Sequence, residues 1–153
     1  MPPRQPHLKA EFALWSAGKK LVAGVDEVGT GPLCGPVVAA AVLVKPHTRK
    51  IKGVRDSKTL SSAQRERLVE AIKERSLAWG IGAASVAEIE RLNVRNAAAL
   101  AMRRALRRLP AVDHVLIDGQ KIRDLEAHIG PYTPIVKGDA SSYAIACASV
   151  LAK

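Results

Sequence analysis

Hydrophobic positions along this chain take two forms: short continuous apolar runs, and longer stretches in which apolar residues return every three or four positions. The first form marks strands. Residues 21–26 make a short apolar run that ends on two carboxylates, Asp26 and Glu27. Beyond the turn Gly29-Thr30-Gly31-Pro32, Pro36 opens a fully apolar run, Val37–Val44, as expected of a strand buried on both faces. Residues 77–84 read as a third strand, weakened by Gly80 and Gly82. Residues 114–117 read as a fourth that ends on Asp118, and residues 133–136 as a last one. The second form marks helices. Ser61-Ser62-Ala63-Gln64 has the S-x-x-Q spacing of a capping box and starts a helix to about Arg75, with Leu68, Val69 and Ile72 facing inward. Asn93 caps a helix to about Leu109 whose apolar face is Val94, Ala98, Ala101, Ala105 and Leu109. Arg103, Arg104, Arg107 and Arg108 lie outside that stripe and read as a solvated face. Residues 7–17 predict a short helix ended by Gly18, residues 45–55 a basic loop, and Asp139 the start of an Ala-rich helix that runs on to Lys153. Strands and helices alternate, so the fold class is α/β or mixed α+β.

Composition narrows this further. A chain of 153 residues suits one domain and buries about 68–70% of its unfolded surface without staples. Hydrophobic residues at 48% exclude a disordered chain. Aromatics at 3% exclude an RNA binder that stacks bases on an aromatic sheet face. A net charge of +10, from 24 Lys and Arg against 14 Asp and Glu, points to a polyanionic partner such as nucleic acid. Cys34 and Cys147 stand far apart among small apolar residues, so they read as small buried residues of a cytosolic protein rather than as a disulfide or zinc site. The first eleven residues have no apolar core of signal-peptide length, and Val37–Val44 is far too short to span a bilayer. No membrane association, a cytoplasmic location and a monomeric state are expected.

Four carboxylates carry the candidate chemistry: Asp26, Glu27, Asp118 and Asp139. Three of them stand at the C-terminal ends of strands, where open α/β sheets place ligand sites. If the two strands are neighbours, the carboxylates converge. Clustered carboxylates repel one another unless a cation lies between them, and hard oxygen ligands select Mg²⁺ or Mn²⁺. Each acid also has an ordinary role: Asp26-Glu27 as a turn or cap, Asp118-Gly119 as a turn, Asp139 as a helix N-cap. Spacing alone does not exclude Asp56, Asp113, Asp124 or Glu126.

The ranking comes from resemblance. The block Val22-Ala23-Gly24-Val25-Asp26-Glu27-Val28-Gly29-Thr30-Gly31-Pro32-Leu33-Cys34-Gly35-Pro36-Val37-Val38-Ala39-Ala40 resembles the first motif of ribonuclease HII. Asp56-Ser57-Lys58-Thr59-Leu60-Ser61 resembles its second, and Ile117-Asp118-Gly119 the strand carrying its third acid. Lys137-Gly138-Asp139, continuing through Ile145-Ala146-Cys147-Ala148-Ser149 to Leu151-Ala152-Lys153, resembles the segment carrying its fourth. These four blocks occur in family order across residues 7–153. The resemblance implies an RNase H-like fold, a five-stranded mixed sheet flanked by helices, and an endonuclease acting on RNA/DNA hybrids and on ribonucleotide-containing duplex DNA. It implies two divalent ions, Mg²⁺ or Mn²⁺, held by Asp26, Glu27, Asp118 and Asp139, with a metal-activated water cutting on the 5′ side of a ribonucleotide to leave 3′-hydroxyl and 5′-phosphate ends. It implies that Gly29, Thr30 and Gly31 read the 2′-hydroxyl through backbone groups and that Lys58 meets a phosphate. Thr30 departs from the family's arginine and is similar to ribonuclease HIII, which prefers stretches of ribonucleotides. The chain is expected to be a single catalytic domain over 1–153 that lacks the family's C-terminal helical segment, including a tyrosine that stacks at the RNA–DNA junction. A nucleic-acid-binding module with impaired catalysis, and an RNase H-like resolvase cutting branched DNA, are the alternative readings.

Overall fold

The structure, a computed structural model, describes residues 5–29, 35–55 and 60–153. Its sheet has five strands: β1 (Val22–Val28), β2 (Val37–Val44), β3 (Ala78–Ala84), β4 (His114–Asp118) and β5 (Tyr132–Ile135), in the order β3-β2-β1-β4-β5. The β1–β2 and β2–β3 pairs are antiparallel, whereas β1–β4 and β4–β5 are parallel. This is the mixed five-stranded sheet that the resemblance implied. Helices α1 (Lys9–Ser16), α2 (Ser62–Arg75), α3 (Val86–Leu92), α4 (Val94–Leu106), α5 (Glu126–Ile129), α6 (Gly138–Ser141) and α7 (Tyr143–Ala152) complete the order of elements.

Both faces of the sheet are covered. On one face α7 packs with Trp15 and Ile72 against Val22, Ala40, Val42 and Leu116; on the other, α4 packs through Ala97, Ala98, Ala101, Met102 and Ala105 against Ala23, Val25, Ala39 and Ala41. The alternating membership of Val22, Ala23 and Val25 is the period-two geometry of a strand. With few aromatics, small residues let the layers approach closely. Gly80 and Gly82, read from the sequence as weaknesses of β3, serve this approach: a Cβ at Gly82 would stand 2.4 Å from the Ala101 carbonyl oxygen, and one at Gly80 2.5 Å from that of Ala105.

The capped helices follow their local signals. Ser61 accepts the Gln64 amide and Gln64 returns a bond to the Ser61 amide, so α2 starts on its capping box. Asn93 caps α4 through the Asn96 amide. Several expectations are corrected. β1 does not end on its carboxylates at residue 26 but carries both within the strand, as far as Val28. β5 lies one residue earlier than expected, and α1 is shorter than 7–17. The last helix is broken at Ser142 into α6 and α7, with Asp139 inside α6 rather than capping it. Val94 is 39% exposed, so the inward stripe of α4 begins at Ala97. Arg104 is not merely solvated: it forks onto Glu88 of α3 at 2.8 and 2.7 Å and donates to the Ala83 carbonyl at 2.7 Å. Cys147 is a buried free thiol, and Cys34 lies outside the described residues. Among the described residues no helix is long and apolar enough to cross a membrane.

Candidate active site

Strand alternation and parallel pairing build the site. Asp26 follows Val22 and Gly24 onto the α7 face of the sheet, and Glu27 follows Ala23 and Val25 onto the α4 face. The parallel pairing of β1 with β4 aligns Val25 with Ile117, so Asp118, one residue further, stands beside Asp26. Asp118 Oδ1 accepts the Gly138 amide at 2.7 Å, which ties the start of α6 to the end of β4 and brings Asp139 to the same place. Ligand oxygens of Asp26, Asp118 and Asp139 all lie within 4.8 Å of one another. Gly24 makes the arrangement possible: a Cβ there would fall 2.2 Å from the Ala144 carbonyl carbon, so only glycine lets α7 lie this close to β1.

Burial sets the electrostatics. Asp26 is 6% exposed. Its Oδ1 accepts the Glu27 amide at 2.8 Å, and Ser149 also bonds its carboxyl. Those bonds do not offset burial first, and the charges of Asp118 and Glu27 second, which push Asp26 up to about 8. Burial and then Asp118 push Glu27 up to about 7, and Glu27 Oε2 is buried without a hydrogen-bond partner. Glu27 lies outside the tight trio but is coupled to it through Asp118. Three converging hard oxygen ligands, a fourth carboxylate beside them, and charged forms disfavoured until a cation arrives together fit a divalent metal ion.

The remaining expected residues divide into placed and unplaced. Gly29 follows β1 with a φ of +96°, in the left-handed region that favours glycine. Thr30, Gly31, Lys58 and Asp56 lie outside the described residues. Asp113 accepts the Leu21 amide at 2.9 Å near the opposite end of β4, while Asp124 and Glu126 are exposed around the start of α5. None of these three joins the cluster. Sequence reasoning missed Glu11 and Ser142. Glu11 is fully buried and accepts the Ser142 hydroxyl at 3.0 Å, at the break before α7. Its signal was present: Leu8, Glu11 and Trp15 follow helical spacing, which puts Glu11 on the inward stripe of α1.

The sheet and this carboxylate cluster together define an α/β protein of the ribonuclease H type, with acids grouped as a divalent cation requires. The family model described as Ribonuclease HII matches residues 23–153, and the chain belongs to that family. It is 50% identical over 151 residues to a Ribonuclease HII of Synechococcus sp. (strain JA-3-3Ab), covering 97% of this chain and 67% of that one. The chain spans 45–67% of the length of five such curated relatives. Among solved structures it is similar to a chain in the PCNA:RNase HII complex from Archaeoglobus fulgidus, with a TM-score of 0.74, 28% identity, and coverage of 86% of this chain and 70% of that chain. It is also similar to Bst-RNase HIII in complex with Mn2+, with a TM-score of 0.70, 28% identity, and coverage of 95% and 55%.

Proposed function

We propose that this chain is a metal-dependent endonuclease that hydrolyses the RNA strand of RNA/DNA hybrids and cuts on the 5′ side of ribonucleotides embedded in duplex DNA, leaving 3′-hydroxyl and 5′-phosphate ends. The observation that carries this reading is the convergence of Asp26, Asp118 and Asp139 at the ends of two parallel strands. Asp26, Glu27, Asp118 and Asp139 would hold two divalent ions, Mg²⁺ or Mn²⁺. When bound, such ions lower the pKa of a water and stabilise charge on the leaving oxygen. Asp118 keeps Asp139 in position through the Gly138 amide, and the Glu27 amide orients Asp26. The Gly29-Thr30-Gly31 turn would bring backbone close to the 2′-hydroxyl, the group that separates RNA from DNA, and Lys58 would meet a phosphate. A net charge of +10 favours such a polyanionic substrate.

The test is cleavage of a DNA duplex carrying one ribonucleotide, beside a full RNA/DNA hybrid, with Mg²⁺ and separately with Mn²⁺. Cutting of both, abolished by Asp26→Asn while binding persists, is the expected result. Cutting of the hybrid alone would assign Thr30 a preference for ribonucleotide stretches. Salt-sensitive binding without any cutting would overturn the enzyme and leave a binding module.

A further inference from the structure

Bordering the carboxylate cluster, a cleft of about 410 Å³ opens between β1, the first turn of α4 and the segment after β4. Glu27 and Asp118 form its acidic wall, Arg95 and Lys121 line it as well, and Val94 and Ile122 give it apolar surface. The two cations are exposed, and neither is paired with an acid among the described residues. Neither cation forms a salt bridge with Glu27 or Asp118, so both are open to a ligand in the cleft. Val94 is the position where the inward stripe of α4 fails: it is 39% exposed although apolar, because it faces this cleft rather than the core.

We propose that this cleft is a binding subsite for one sugar-phosphate unit of the nucleic-acid strand, with Arg95 and Lys121 gripping a backbone phosphate next to the one that is cut. The proposal rests on the endonuclease reading above and adds to it a contact outside the four sequence blocks. Volume, charge and surface agree. A nucleotide-sized ligand fits a cleft of this size. A guanidinium presents a fork to phosphate oxygens and an ammonium a point charge. Val94 and Ile122 suit the apolar face of a sugar. Among the described residues no aromatic side chain lines the cleft, so bases do not stack there and the grip is indifferent to sequence. The carboxylates of Glu27 and Asp118 repel a phosphate, so the phosphate lies on the Arg95–Lys121 side of the cleft.

The experiment measures binding of a short RNA/DNA hybrid at stepped KCl concentrations in an Asp139→Asn background, where cleavage does not interfere. Arg95→Gln, Lys121→Gln and the double variant are compared with Lys19→Gln, which lies near His114 at the far end of β4. Each cleft variant is expected to flatten the slope of log K against log salt by about 0.9, the double variant by about twice that, and Lys19→Gln not at all. In the otherwise unchanged protein, the cleft variants raise KM several-fold and leave kcat nearly intact. Unchanged slopes, or a loss of kcat at constant KM, would overturn the cleft as a phosphate subsite even if the parent cuts normally. A parent that binds without cutting sinks the endonuclease reading, yet the slopes still decide the cleft. A parent that does not bind removes both.

Discussion

Glu11 occupies a position on the inward stripe of α1 where an apolar residue is expected. Ser142 satisfies one of its oxygens, and Oε2 stays buried without a partner. Burial pushes the carboxyl up from 4.5 to about 7, against the pull of Ser142 and the amides at the start of α7. The folded state thus disfavours the ionised form. The associated stability is full below pH 4.5 and is lost as pH rises through 7. At 1.36 kcal/mol per pH unit that amounts to about 3 kcal/mol by pH 8. Glu11→Gln keeps the acceptor and cannot ionise. Urea unfolding is expected to show it matching the parent at pH 4 and exceeding it by about 3 kcal/mol at pH 8; equal stabilities at pH 8 would mean the carboxyl ionises without penalty. Asp118 permits a similar separation of geometry from charge. Asp118→Asn retains the Oδ1 acceptor for the Gly138 amide but removes the charge that raises both Asp26 and Glu27. The variant should keep its fold, gain stability without metal at pH 8, and lose more than about 100-fold in cleavage, since even neighbours of metal ligands cost 10–100-fold. A variant that cuts at parental rate would remove Asp118 from the site.

At the scale of elements, the packing of α7 on β1 decides whether the acids meet. Gly24→Ala places a methyl 2.2 Å from Ala144 backbone, which has no flexible end to give way. A loss of about 3 kcal/mol or more in urea is expected, with weakened metal binding in whatever folded protein remains; a loss below about 1 kcal/mol would show that α7 moves freely. How much of this was legible depends on distance along the chain. Ser61 with Gln64 and Asn93 with Asn96 are caps three residues apart, so their helices could be read with the right starts. β2 was legible because both its faces are buried. α3 was not, although Ser85 and Glu88 form a second capping box, because the helix buries no residue and gives no apolar period. The break at Ser142 is tertiary: His7 donates to Ser141 and accepts from Tyr143, and no local pattern announces that exchange. The same holds for the acids. Their residue types and order could be read, but the parallel pairing of β1 with β4 that brings Asp26 to Asp118 belongs to the fold. The glycines of β3 were misread for the complementary reason, since a Cβ clash with α4 exists only once α4 has docked.

Across the whole molecule, these local terms set how stability depends on pH and on metal. Asp26 at about 8 and Glu27 and Glu11 at about 7 are all raised, so each contributes stability below about pH 4 that fades as pH climbs through 7 to 8. Glu88 acts oppositely: Arg104 and the Ser85 backbone lower it to about 2, and its contribution is lost only as pH falls from 4.5 toward 2. His114, whose charged form is disfavoured chiefly by burial, also favours higher pH, but it is one partly buried group against three buried carboxyls. The metal-free protein should therefore melt highest near pH 4–5 and progressively lower toward pH 8. A divalent ion reverses the upper part of this curve, because it binds the deprotonated carboxylates and only the folded state assembles them. The shift in Tm on adding Mn²⁺ or Mg²⁺ should be small at pH 5, where Asp26 and Glu27 hold their protons, and grow steadily to pH 8. Glu11→Gln separates the parts: it should flatten the metal-free slope while leaving the metal-induced shift at pH 8 intact, since Glu11 is not among the acids proposed to hold the ion. Differential scanning fluorimetry at several pH values, with EDTA and with each ion, reads all of these at once. A metal-induced shift independent of pH would mean that the ion binds elsewhere than on the buried carboxylates at the ends of β1 and β4.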